Sequence, residues 1–87
     1  ELAVAAEACA RRCLAEGLVR GDRVAIFLPK SLEECWSILG VARAGGVFVP
    51  VNAMLRPAQV RHIVEDCGAR IVLTCRSLAP LLAEALD

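Results

Sequence analysis

Val24-Ala25-Ile26-Phe27-Leu28-Pro29-Lys30-Ser31-Leu32-Glu33-Glu34 is the stretch on which the fold turns. Its first five residues are a continuous run of apolar side chains rich in strand formers. Without polar alternation, such a run suits a strand covered on both faces. Pro29 ends it. Ser31, followed three residues later by Glu34, is a capping box, so a helix is predicted to start there and to carry Leu32, Cys35, Trp36 and Leu39 inward. A strand leading through a short loop into a helix is the first half of a β-α-β unit.

The same alternation repeats on both sides. Leu2, Ala6, Cys9 and Cys13 keep helical spacing across residues 2–16, with Glu7, Arg11 and Arg12 largely off that stripe. Gly17 suits the left-handed cap of this helix, and Gly21-Asp22 makes a turn into the central strand. Beyond the second helix, Gly45-Gly46 stops it and Val47-Phe48-Val49 reads as a second buried strand, limited by Pro50, which cannot donate to a sheet ladder. Pro57 suits the first position of a third helix, where Val60, Ile63, Val64 and Cys67 follow i, i+3, i+4, i+7 and Gly68 caps the end. Ile71-Val72-Leu73-Thr74 is a third strand. Ser77 is predicted to open a fourth helix with Leu78, Leu81, Leu82 and Leu86 on adjoining faces, Pro80 being tolerated in its first turn. The order αβαβαβα, with short loops, predicts an α/β fold: a three-stranded parallel sheet segment with flanking helices.

Composition narrows the classes. The apolar share is 57% even before six Gly are added, above the roughly 45–50% that a whole soluble domain shows with Gly included. A core segment of a larger body fits that excess, because three two-sided apolar strands alone leave bare edges. At 87 residues the stability of the chain by itself is expected to be marginal. Ten basic and ten acidic residues balance, with no run of like charge, which argues against a nucleic-acid groove or a basic membrane patch. Apolar runs are far shorter than the roughly 20 residues needed to span a bilayer, and a cytoplasmic protein without a membrane span is expected. The five Cys include no Cys-x-x-Cys pair, and free Cys packs as a small hydrophobe. Only Cys9 and Cys13, at i, i+4, could set two thiols side by side, and a single His leaves a metal site short of ligands.

In an open parallel sheet, ligands gather beyond the carboxyl ends of the strands. Three loops qualify: Pro29-Lys30-Ser31, Val51-Asn52 through Arg56, and Cys75-Arg76-Ser77. Lys30, the only lysine, could meet an anion beside a helix N-terminus, although Ser31 alone accounts for the loop as a cap. Asn52 could bond a ligand or stabilise its own turn. Arg56 and Arg76 could bind phosphate by forked donation, in a chain with nine arginines. His62 falls on the polar face of its helix beside Arg61 and Glu65. Neither Gly-x-x-x-x-Gly-Lys-Ser/Thr nor Gly-x-Gly-x-x-Gly occurs, and no Ser-His-Asp, Cys-His or metal-ligand set can be assembled. Lys30, Asn52 and Arg56 remain as candidates for contact with a ligand, with no catalytic residue and no metal ligand among them.

Leu39-Gly40-Val41-Ala42-Arg43-Ala44-Gly45-Gly46-Val47-Phe48-Val49-Pro50-Val51-Asn52 resembles the early Leu-Lys-Ala-Gly-Gly-x-x-Val-Pro-hydrophobic-Asp/Asn motif of the adenylate-forming superfamily. That group comprises AMP-forming acyl-CoA synthetases, the adenylation domains of peptide synthetases, and luciferases. Gly21-Asp22-Arg23-Val24-Ala25-Ile26 with Leu28-Pro29-Lys30-Ser31 is similar to the preceding family stretch, and Arg56-Pro57 through Thr74 to the following one. Asn52 in place of Asp, and Met54-Leu55-Arg56-Pro57, lean toward acyl-CoA ligases. Ala53, where Pro is common, and Arg43 for the usual Lys depart from the motif.

The resemblance implies a parent enzyme that joins a small carboxylic acid to ATP, with Mg²⁺, and passes the acyl group to coenzyme A. It also implies that residues 1–87 are a partial N-terminal, AMP-binding domain truncated at both ends, whose partner is the remainder of its own chain and which by itself is inactive and holds no cofactor tightly. The family's Lys-bearing Gly/Ser/Thr-rich loop, acidic ATP-binding motif and C-terminal lysine have no match here. Two other readings stay open: an amino-acid adenylation domain, and a stand-alone small α/β binding module. A thiol-based metal or redox protein is a third, and it lacks the spacing for one.

Overall fold

A computed structural model describes residues 2–86 as α1 (Leu2–Ala15), β1 (Arg23–Phe27), α2 (Leu32–Arg43), β2 (Val47–Val51), α3 (Pro57–Cys67), β3 (Ile71–Thr74) and α4 (Ala79–Leu86). The strands form one parallel sheet in the order β2-β1-β3. The αβαβαβα reading therefore holds. β1 is central, with a strand at each edge and helices on both faces. Val24, Ala25, Ile26 and Phe27 are fully buried, each larger side chain contributing about 1.5–3 kcal/mol of burial.

Alternation along β1 splits the core in two. Val24, Ile26 and Leu28 pack with Cys9, Cys13, Leu18 and Val41, so α1 and α2 cover that face. Ala25 and Phe27 pack with Val60 and Ala85, so α3 and α4 cover the other.

Four expectations are corrected. Val47-Phe48-Val49 is not a buried strand: β2 lies at the sheet edge, with Val47 and Phe48 exposed. Pro50 does not end it, since β2 runs on to Val51. The reason is hydrogen-bond phase. The Val47 N–H donates to Asp22 O at 2.8 Å, and residues two apart in a parallel strand point to the same neighbour. Val47, Val49 and Val51 thus face β1, while Phe48 and Pro50 face outward, where a missing N–H breaks no bond.

The inward face of α2 is Ser37, Gly40 and Val41 rather than Leu32, Cys35 and Leu39, which are exposed. Trp36 is half-buried against the core. Finally, α4 begins at Ala79, two residues after Ser77, because the Leu78 and Ala79 N–H groups both donate to Cys75 O and form a turn first. Among the described residues, no helix is long and apolar enough to cross a membrane.

Candidate functional site

The carboxyl edge of the sheet is where backbone geometry leaves room for a ligand. β1 sends its chain to α2 on one face, and its neighbour β3 sends its chain to α4 on the other. The chain therefore leaves these two neighbouring strands toward opposite faces of the sheet, the arrangement at which open parallel sheets take ligands. Thr74 Oγ1 donates to Phe27 O at 2.9 Å, clamping the two strand ends together.

Each predicted residue has a defined place. Lys30 is exposed in the loop after β1. Its neighbour Ser31 is fully employed: its hydroxyl donates to Pro29 O at 2.8 Å and accepts from Glu34 N–H at 3.2 Å. Asn52 and Arg56 follow β2 at the same edge. Asn52 Oδ1 accepts from Met54 N–H at 2.8 Å, so its side chain closes its own turn. The Arg56 N–H donates to Gln59 Oε1 at 3.0 Å and caps α3 from the backbone, leaving the guanidinium out of the cap. Arg76 is exposed in the turn after β3, and His62 is exposed on α3. Lys30, Asn52, Arg56 and Arg76 thus share one edge of the sheet, and no hydrogen bond or ion pair joins them among the described residues.

Cys75 is the chemically distinctive group of this edge, and the sequence reading placed it in the loop without giving it a part. Its Sγ lies 3.2 Å from Ser77 Oγ. That hydrogen bond, and after it the Leu78 N–H, hold the thiol below its ordinary value. A cysteine at a strand end, two residues before a serine that opens a helical turn, was the available signal. The other pair behaves oppositely. Cys9 and Cys13 are buried, and loss of hydration pushes Cys9 up to about 11, with Cys13 beside it adding to the rise, and raises Cys13 as well. Both are packing groups.

The edge can attract a phosphate but does not make a complete nucleotide site. It presents cations, whereas its polar neutral groups are committed to turns. Asp22 lies at the opposite end of β1 and Asp66 lies within α3. Among the described residues, no three His, Cys, Asp or Glu come together to hold a metal. ATP with Mg²⁺ does not fit these residues alone, and no chemical step is derived through them.

The Gly-Asp-Arg turn sits at the amino edge of the sheet, away from the strand-end loops. Asp22 Oδ2 accepts from Val19 N–H at 2.9 Å and meets Arg70 at 3.6 Å. Its carbonyl accepts from Val47, and Arg23 O accepts from Arg70 N–H at 2.9 Å. These bonds fasten both outer strands to β1 and explain the turn as architecture.

The sequence pattern of AMP-binding enzymes matches residues 1–87. The chain is 38% identical over 77 residues to the long-chain-fatty-acid–CoA ligase FadD13 of Mycobacterium tuberculosis, covering 88% of this chain and 15% of that protein. It is also 38% identical over 64 residues to syringomycin synthase SyrB1 of Pseudomonas syringae, covering 74% of this chain and 10% of that one. The crystal structure of an acyl-CoA synthetase from Brucella canis superposes with a TM-score of 0.91 at 27% identity, over 98% of this chain and 16% of the other. The chain spans about 15% of the length of the curated relatives that resemble it over most of its residues.

Proposed function

The chain belongs to the AMP-binding enzyme family, and we propose that the polypeptide of which residues 1–87 form a part is an AMP-forming acid–thiol ligase. In this reading a carboxylate attacks the α-phosphorus of ATP, giving an acyl-adenylate and pyrophosphate. The thiol of coenzyme A then takes the acyl group and AMP leaves. ATP and coenzyme A serve the whole polypeptide, and Mg²⁺ accompanies ATP because charge on the transferring phosphate needs a counter-charge. These 87 residues contribute part of an N-terminal domain. They supply sheet and helix scaffold, with Lys30, Asn52 and Arg56 at its ligand-facing edge, and the cytoplasm as the place of action.

The observation that carries the reading is the 38% identity across 88% of the chain to a long-chain-fatty-acid–CoA ligase. Its test uses the full-length protein. Pyrophosphate exchange into ATP is measured against a panel of carboxylic acids from short to long chain, followed by thioester formation with coenzyme A. Exchange that depends on one class of acid, with thioester formed, is expected. Exchange with none of the panel would overturn the proposal.

A second reading, an amino-acid adenylation domain, is favoured by the equal identity to syringomycin synthase SyrB1. It differs in outcome: exchange would require an amino acid, and the acyl group would pass to a carrier-protein thiol and not to coenzyme A. Asn52 and the Met54-Leu55-Arg56-Pro57 segment support the first reading over this one.

A further inference from the structure

We draw no further inference here: the strongest candidate, the exposed apolar stripe that Leu32, Cys35, Leu39 and Ala42 form along the outer face of α2, is an unpartnered helix face, and nothing in the structure shows what covers it.

Discussion

Gly40 lies in the middle of α2, where a Cβ would come within 2.6 Å of Cys9 Cβ, 2.8 Å of Ala6 O and 2.9 Å of Cys9 Sγ. The glycine is what lets α1 and α2 touch backbone to side chain over the Val24–Ile26 face. Gly40→Ala sets two effects against each other. Alanine gains about 1 kcal/mol of helix propensity, and overpacking costs about 1–3 kcal/mol. Contact with a backbone oxygen, which cannot swing aside, decides for the clash. We expect a net loss of up to about 2 kcal/mol, read as a lower urea midpoint at unchanged slope. The five thiols give a second prediction. Cys35 is exposed, and Cys75 is held below the ordinary value by Ser77. An alkylating agent at neutral pH should modify these two first, with Cys75 reacting at lower pH than a free thiol. Ser77→Ala should move the Cys75 rate profile upward in pH. Cys9 and Cys13 should stay unmodified until the protein unfolds. Because burial pushes the Cys9 thiol up to about 11 from an ordinary 9.0, its contribution to stability is constant below pH 9. It is lost as pH rises between those values, where the unfolded chain has released a proton that the folded one keeps. Sequence spacing identified Cys9 and Cys13 as inward-facing, but Gly40 went unread because its reason lies on another helix.

At the scale of elements, the helix starts were legible and the helix faces were less so. The Ser31 cap is a local bond between residues three apart, and Ser31→Ala should cost about 1 kcal/mol in thermal or urea unfolding. Lys30→Ala, which removes a solvated side chain, should stay within about 0.5 kcal/mol. Gly68 ends α3 in the left-handed conformation at φ 66°, as its position suggested. The buried face of α2 was misread because Leu32 and Leu39 are apolar and exposed, and apolarity alone does not say which neighbour is present. The Gly-Asp-Arg turn carries a further prediction. Asp22→Ala deletes a hydrogen bond to Val19 N–H and a partly exposed pair with Arg70. The first contributes about 1 kcal/mol and the second less, so a loss of about 1–2 kcal/mol is expected in urea unfolding. Asp22→Asn, which keeps an acceptor for Val19, should lose less than half of that. Equal losses for the two variants would shift the weight to the Arg70 pair.

For the whole molecule, apolar surface is left uncovered. Leu32 is 72% exposed and Met54 88%, β2 shows Val47 and Phe48 at its edge, and β3 offers two outward backbone pairs. The 87-residue chain produced by itself should therefore self-associate. Gel filtration should show species above the monomer, and an apolar dye should bind. The full-length protein, with those surfaces covered, should show neither. A monodisperse, dye-silent 87-residue chain would contradict this. The amino-acid order by itself determined the succession of helices and strands, the caps at Ser31 and Gly68, the parallel sense of the sheet and the family. Each of these rests on bonds between near neighbours, on the hydrophobic period of a single segment, or on motif order along the chain. Tertiary structure alone decided that β1 is central, that β2 is an edge able to accept Pro50 within it, that α2 turns Gly40 inward and Leu39 outward, and that the chain leaves β1 and β3 toward opposite faces of the sheet. Those outcomes depend on contacts between segments far apart in sequence, where the hydrogen-bond phase of one strand and the bulk of one side chain are settled by a partner the local pattern does not specify.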